Sequence, residues 1–114
     1  MTKSKIKRLE ATILRVKEVL CETRDMRPGS LSKQMRKSKD KYGAYWHLSY
    51  THRGKGHTQY IRDELVAQIK AETANFKRFR TLVDRLVTLS IALSQAKIEM
   101  AKRDASEGAR TRQS

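Results

Sequence analysis

The stretch Ala44-Tyr45-Trp46-His47-Leu48-Ser49-Tyr50-Thr51-His52-Arg53-Gly54-Lys55-Gly56-His57-Thr58-Gln59-Tyr60-Ile61 decides the fold class. Its first eight residues are rich in β-formers and alternate in character. Successive side chains of a strand point to opposite faces, so Trp46, Leu48 and Tyr50 share one face and Tyr45, His47 and Ser49 the other. Two glycines within Arg53-Gly54-Lys55-Gly56 suit a hairpin turn, and His57 to Ile61 return as a second strand. Pairing even positions with even brings Thr58 and Tyr60 onto the Trp46 face and leaves Gln59 beside His47. A slip of one residue puts Ile61 on the Trp46 face instead. The first register is the expectation, with the Trp46 face assigned to the core.

Upstream, Gly29-Ser30-Leu31-Ser32-Lys33-Gln34-Met35 reads as a third strand, polar enough for a sheet edge, where lysine discourages aggregation. Arg36-Lys37-Ser38-Lys39-Asp40-Lys41 is a basic loop leading to the hairpin. Further upstream, over about residues 5–24, Ile6, Leu9, Ile13, Val16 and Leu20 follow spacings of three and four, the a/d stripe of an amphipathic helix. Leu14 and Val19 widen this apolar face. Cys21 lies beside it and is read as a small packing residue. Arg27-Pro28-Gly29 stops the helix, because the residue before proline disfavours the α region and glycine punctuates.

Downstream, residues 63–104 read as one long helix. Asp63 and Glu64 sit where the dipole of its first turn favours acids. Phe76, Phe79, Val83, Leu86, Ser90 and Leu93 form one stripe, and Leu82, Leu86, Leu89, Leu93, Ala96 and Met100 a second. Such a helix reaches about 60 Å at 1.5 Å per residue, more than a small sheet covers. It must fold back on the first helix, pair with another chain, or both. Phe79, Leu82, Leu86, Leu89 and Leu93 are the candidate oligomer interface. Residues 105–114 are read as a disordered basic tail. The fold class is α+β and mostly α: an N-terminal helix over residues 1–26, a basic β element over 27–62 that is an antiparallel hairpin or a three-stranded sheet, and the long coiled-coil-like helix.

Charge carries the functional reading. The 114 residues include 26 Lys and Arg against 12 Asp and Glu, a net charge of +14. The flanking segments 1–26 and 63–114 are each net +3, whereas residues 27–62 carry nine basic side chains against Asp40 alone. A surface of this kind attracts polyanions, and nucleic acid is the abundant one. Lys33, Arg36, Lys37, Lys39, Lys41, Arg53 and Lys55 are the candidate phosphate contacts, joined by His52 and His57 beside the turn. Tyr45, His47, Ser49 and Gln59 are the candidates to reach base edges, since antiparallel ribbons can enter the major groove.

Other classes are not expected. No apolar run approaches the roughly 18 residues of a membrane span. Met1-Thr2-Lys3-Ser4-Lys5 has no apolar stretch behind it, so no secretory signal is read. One cysteine makes no intramolecular disulfide, and a cytoplasmic setting follows. There is no Walker loop, GxSxG, HExxH or CxxC. A small chain also has little space for a deep substrate cavity, so neither an enzyme nor a small-molecule substrate is expected. His47, His52 and His57 recur every five residues but lack the further ligand a zinc site needs, so no metal or other cofactor is assigned.

Met26-Arg27-Pro28-Gly29-Ser30-Leu31-Ser32-Lys33-Gln34, Gly43 to His52, and Lys77-Arg78-Phe79-Arg80 together resemble an uncharacterised family of small basic bacterial proteins. The resemblance covers about residues 26–95. Members share a Gly-Ser-Leu start, a tyrosine-rich strand matching Tyr45 to Tyr50, and an Arg-Phe-Arg element. Their genes often lie near transposases, so the resemblance implies a mobile-element setting. Some relatives carry cysteines where this chain has Met35 to Asp40, and a metal site of theirs does not carry over. The resulting expectation is a non-enzymatic nucleic-acid-binding protein, DNA favoured over RNA, presenting a basic hairpin on a dimeric helical base. The alternative is a coiled-coil adaptor or accessory subunit of a larger nucleoprotein complex.

Overall fold

The structure, a computed structural model, describes residues 2–35 and 44–113. In chain order they form helix α1 (Thr2–Cys21), strands β1 (Ser30–Met35), β2 (Ala44–His52) and β3 (Lys55–Ile61), a 3-10 turn (Asp63–Leu65) and helix α2 (Val66–Gln113). The chain divides into two compact units: Thr23–Arg80, which holds the sheet and the start of α2, and residues 2–22 with 81–113, which pair α1 with the rest of α2.

In the sheet unit the strands lie antiparallel in the order β1-β2-β3. The polar segment expected at an edge is indeed the edge strand β1. The hairpin turn consists of Arg53 and Gly54, both at positive φ (52° and 77°). Two successive positive φ values define a type I′ turn, whose twist matches that of the flanking strands. Arginine is strained in this conformation by about 1 kcal/mol, whereas glycine is not. Arg53→Asn, which gives the Asn-Gly pair favoured in such turns, is therefore expected to raise stability by up to about 1 kcal/mol in a urea melt.

A two-residue turn also sets the register. It pairs His52 with Lys55 and hence Trp46 with Ile61, Leu48 with Gln59 and Tyr50 with His57. Even positions of β2 thus share a face with odd positions of β3, correcting the even-with-even expectation. That pairing would need an odd number of turn residues. Ile61 goes inside at 3% exposure, and Tyr60 is left outside at 56%. Leu48, fully buried, packs with Ile61 and Ile69 of α2, and Leu31, Trp46, Tyr50 and Val66 close around them. The Trp46 face is therefore the core face, as expected, with the opposite residues of β3 on it.

The segment between α1 and β1 is tied to α2 by two bonds. The Arg27 backbone N–H donates to the Glu72 carbonyl at 3.2 Å, and Asn75 Nδ2 donates to the Asp25 carbonyl at 3.0 Å. Gly29 follows at φ 140°, and a Cβ built there would stand 2.6 Å from Leu48 Cδ1. Only glycine brings β1 this close to the core.

In the helical unit, α1 and α2 run antiparallel. Arg103 Nη1 donates to Thr2 Oγ1 at 2.9 Å, while Ile13, Leu14 and Leu93 line one cleft. The stripe expected on α1 is the side it buries: Ile13 and Val16 are buried, with Ile6, Leu9 and Leu20 half-buried. On α2, Ala96 is buried and Leu82, Leu86, Leu89, Leu93 and Met100 are half-buried. The long helix thus folds back on the first. Leu14, Val19 and Cys21 point to solvent, so Cys21 is not the packing residue it was expected to be. The helix also continues past residue 104 to Gln113, through the segment read as a tail. Alanine, arginine and glutamine are strong helix formers, and a single Gly108 costs about 1 kcal/mol without forcing a stop.

Candidate nucleic-acid interface

The pleat of the sheet gives this unit two faces of different chemistry. On the core side, Trp46 lies under two cations, Lys70 Nζ at 5.0 Å and Lys33 Nζ at 5.8 Å from its ring centre. Ammonium groups over the negative face of an indole are attracted to it. Lys33 is therefore a partner of Trp46 on the edge strand, opposite it in register. Tyr50 is stacked on His57, with ring centres 4.9 Å apart and 20° between planes, and Arg27 lies 5.0 Å from the same ring. Arg27 Nε is buried and makes no hydrogen bond among the described residues, so its attraction to Tyr50 is its electrostatic compensation here. His57 is engaged in this stack. Gln59, expected beside His47, lies opposite Leu48 on the core-side face and is exposed at its margin.

The outward face collects Ser30, Ser32 and Gln34 from β1, Tyr45, His47 and Ser49 from β2, and Thr58 and Tyr60 from β3, as the paired registers and the alternation of the strands require. Tyr45 and His47 are half-buried and the other six are exposed. Ser32 Oγ and His47 Nε2 share a hydrogen bond of 3.0 Å, and the Tyr45 hydroxyl donates to Gln34 Oε1 at 2.8 Å. These bonds tether both side chains to neighbours on β1. The Tyr45 centroid is 6.2 Å from those of His47 and Tyr60, with planes tilted by 38° and 34°. Three of the four residues chosen from sequence to reach bases, Tyr45, His47 and Ser49, are thus brought together, and Gln59 is not. Tyr60 and Thr58 take its place. Their signal in the sequence was the parity of the turn.

At the free end of the hairpin, His52, Arg53 and Lys55 are exposed. His52 pairs with Lys55 across the turn. No carboxylate pairs with Arg53 or Lys55 among the described residues, whereas Arg62 at the other end of β3 lies 3.8 Å from Glu64. Arg36, Lys37, Lys39 and Lys41 lie outside the described residues. His, Cys, Asp and Glu form no group of three able to hold a metal among the described residues. No helix among them is long and apolar enough to cross a membrane.

No curated protein and no solved structure matches this sequence. A family model does match, over residues 1–71, which takes in α1, the whole sheet and the first residues of α2. The match begins earlier than the segment whose motifs resembled an uncharacterised family, and it stops before Lys77-Arg78-Phe79-Arg80. On that match the chain belongs to the family defined by the domain of unknown function DUF6788.

Proposed function

We propose that this protein binds nucleic acid, DNA in the first place, through its basic β element and without catalysing a reaction. One observation carries the reading. Arg53 in a tight turn and Lys55 beside it at the start of β3 stand exposed, unpaired with any carboxylate among the described residues, within a segment of nine basic residues and one acidic. A two-residue turn fixes the backbone of its flanking strands, so the chain that carries these cations has little freedom to lose on binding, although their side chains do. Phosphate contacts release condensed counterions, and affinity should fall steeply with salt. Replacing Arg53 and Lys55 together with glutamine is expected to weaken binding and to flatten the plot of log K against log salt by about two contacts. Titration of labelled DNA at several salt concentrations checks this. Absence of binding at low salt would overturn the reading. The bacterial, mobile-element setting implied by the resemblance and the cytoplasmic setting read from the single cysteine belong to the same proposal, and transposase genes beside this one would support it.

The adaptor reading gains from a different observation, a face of α2 that sequence reasoning passed over. Val87, Ile91, Ser94, Ile98, Ala101 and Ala105 recur at spacings of four and three, and all six are exposed. Ile91 is 64% exposed, Val87 51% and Ile98 46%. They lie on the side of the helix away from Ala96, and a continuous apolar stripe of this kind marks an interface. The occupant that fits is a second copy running antiparallel. Ile91 of one copy then meets Ser94 of the other, Ile98 meets Val87, and Asp84 comes beside Lys102 in the same register. Ile91 faces a small residue, Ile98 and Val87 pack two β-branched side chains together, and opposite charges meet. A parallel pairing in register would set Asp84 against Asp84 within the seam. This seam differs from the interface expected on Phe79, Leu82, Leu86, Leu89 and Leu93, all of which are half-buried within the chain.

A further inference from the structure

We infer that the phosphates of the nucleic acid are held on the core-side face of the sheet, at its hairpin end, by a row of Arg27, Tyr50 and His57 that His52 and Lys55 prolong. This inference rests on the nucleic-acid reading above and names the side chains that meet the backbone of that ligand.

The register builds the row. Tyr50 pairs with His57 and His52 with Lys55, and both pairs share the face that carries Leu48. Further along this face Ile69 of α2 packs on Leu48 and Ile61. The hairpin end lies beyond that cover, and His52, Lys55 and His57 are exposed there. One face of the sheet is thus a core at one end and an open basic surface at the other. Arg27 joins from the segment that leads into β1. Since β1 and β3 flank β2 on opposite sides, Tyr50 receives the Arg27 guanidinium from one neighbour, at 5.0 Å, and the His57 ring from the other, at 4.9 Å.

The state of Arg27 calls for an anion. The residue is half-buried, and its Nε is shut off from solvent with no hydrogen bond among the described residues. No carboxylate among them forms an ion pair with it. The nearest acid along α2 is Glu72, whose main-chain carbonyl accepts the Arg27 N–H. Its carboxylate is engaged instead by Gln68 Nε2 at 2.9 Å. A tyrosine ring attracts a guanidinium but carries no charge to cancel it, and a cation drawn out of water without a counter-charge is costly. A phosphate supplies that charge. Guanidinium forks engage two phosphate oxygens at once, and the imidazoles and the Lys55 ammonium beside it are further donors for the next phosphates of the strand.

Two measurements test the row. The first is fluorescence anisotropy with a labelled DNA duplex at several salt concentrations. Arg27→Gln should weaken binding about tenfold or more, the size of a lost charge-assisted hydrogen bond, and lower the salt slope by about one contact. Arg27→Lys keeps the charge without the fork and should recover only part of the affinity. Arg62→Gln removes the same charge about 17 Å along the strand from His57, beyond a Debye length of about 8 Å, and should weaken binding several times less. Circular dichroism confirms that the variants fold. The second measurement needs no variant. Inorganic pyrophosphate added to the parent protein should shift the NMR ring signals of Tyr50 and His57 and leave those of Tyr60, on the outward face, in place. Equal losses in Arg27→Gln and Arg62→Gln, or unshifted Tyr50 and His57 signals in a protein that binds DNA, overturn the row while the nucleic-acid reading stands. Shifted signals without DNA binding overturn nucleic acid as the source of the phosphate. Absence of both overturns both.

Discussion

Gly29→Ala is expected to lower the stability of the protein by about 2–5 kcal/mol, read as a shifted midpoint in urea. Two costs add. The backbone at φ 140° is a conformation that alanine rarely adopts, and the new methyl would enter the space held by Leu48, 2.6 Å from Cδ1 and 3.2 Å from the Ser49 carbonyl. Leu48 is the one fully buried large side chain among the described residues, so it has nowhere to retreat, because packed interiors hold few voids larger than a water molecule. Combining Gly29→Ala with Leu48→Val separates the two costs. Trimming Leu48 alone removes a methylene and should cost about 1 kcal/mol. If the clash dominates, the double variant loses less than the sum of the singles, because contacting residues are not additive. If backbone strain dominates, the losses add. Gly56→Ala is the control: a Cβ there meets nothing within 4 Å, and the change should stay within about 0.5 kcal/mol. A Gly29→Ala protein as stable as the parent would mean that β1 does not approach Leu48 this closely.

The same residues show what a sequence discloses and where it stops. The a/d rhythm of Ile6 to Leu20 and the alternation of Ala44 to Thr51 are local patterns, and each became the expected element, whereas the first helix ends at Cys21, ahead of the arrest expected from Arg27-Pro28-Gly29. Hairpin register is a different kind of quantity, because it depends on whether the turn has two residues or three. Glycines at both 54 and 56 allow either. The choice went to Arg53-Gly54 despite the strain on arginine. The two-residue turn puts Ile61 under Leu48, whereas the alternative would bury Tyr60 and expose an isoleucine. Tyr60 would bury a comparable apolar area but strand its hydroxyl, a cost of about 1–3 kcal/mol, against roughly 1 kcal/mol lost at Arg53. That balance is visible only once the strands face α2.

The candidate site was legible in its charge and only partly in its surface. Arg53 and Lys55 follow from composition and the turn signal. Tyr60 does not, because tyrosine next to isoleucine reads equally well as core. The outer stripe of α2 was hidden for a related reason. Leu82, Leu86, Leu89 and Leu93 dominate any hydrophobic count, and they are the side half-buried in the helical unit. Ser94 and Ala101 score as neutral, so the second seam shows only when exposure is mapped onto the helix.

That seam leads to the second large effect. Ile91→Asp is expected to convert a dimer into a monomer, with the dissociation constant raised at least about a hundredfold. A carboxylate buried in an apolar seam costs several kcal/mol, and every 1.4 kcal/mol is tenfold. Within one chain Ile91 is mostly exposed, so the substitution should leave the helical content and the urea midpoint of the monomer close to those of the parent. This separates loss of pairing from loss of folding. Light scattering at tens of micromolar, with circular dichroism alongside, reads both. The charge pair then tests orientation. Asp84→Lys alone should weaken the dimer, because it sets lysine beside Lys102 of the other copy. Adding Lys102→Asp restores attraction in the antiparallel register and gives a parallel one no such rescue. Recovery of the dimer in the double variant supports the antiparallel seam. A parent protein that stays monomeric at these concentrations, or an Ile91→Asp protein that stays dimeric, removes this face as the interface.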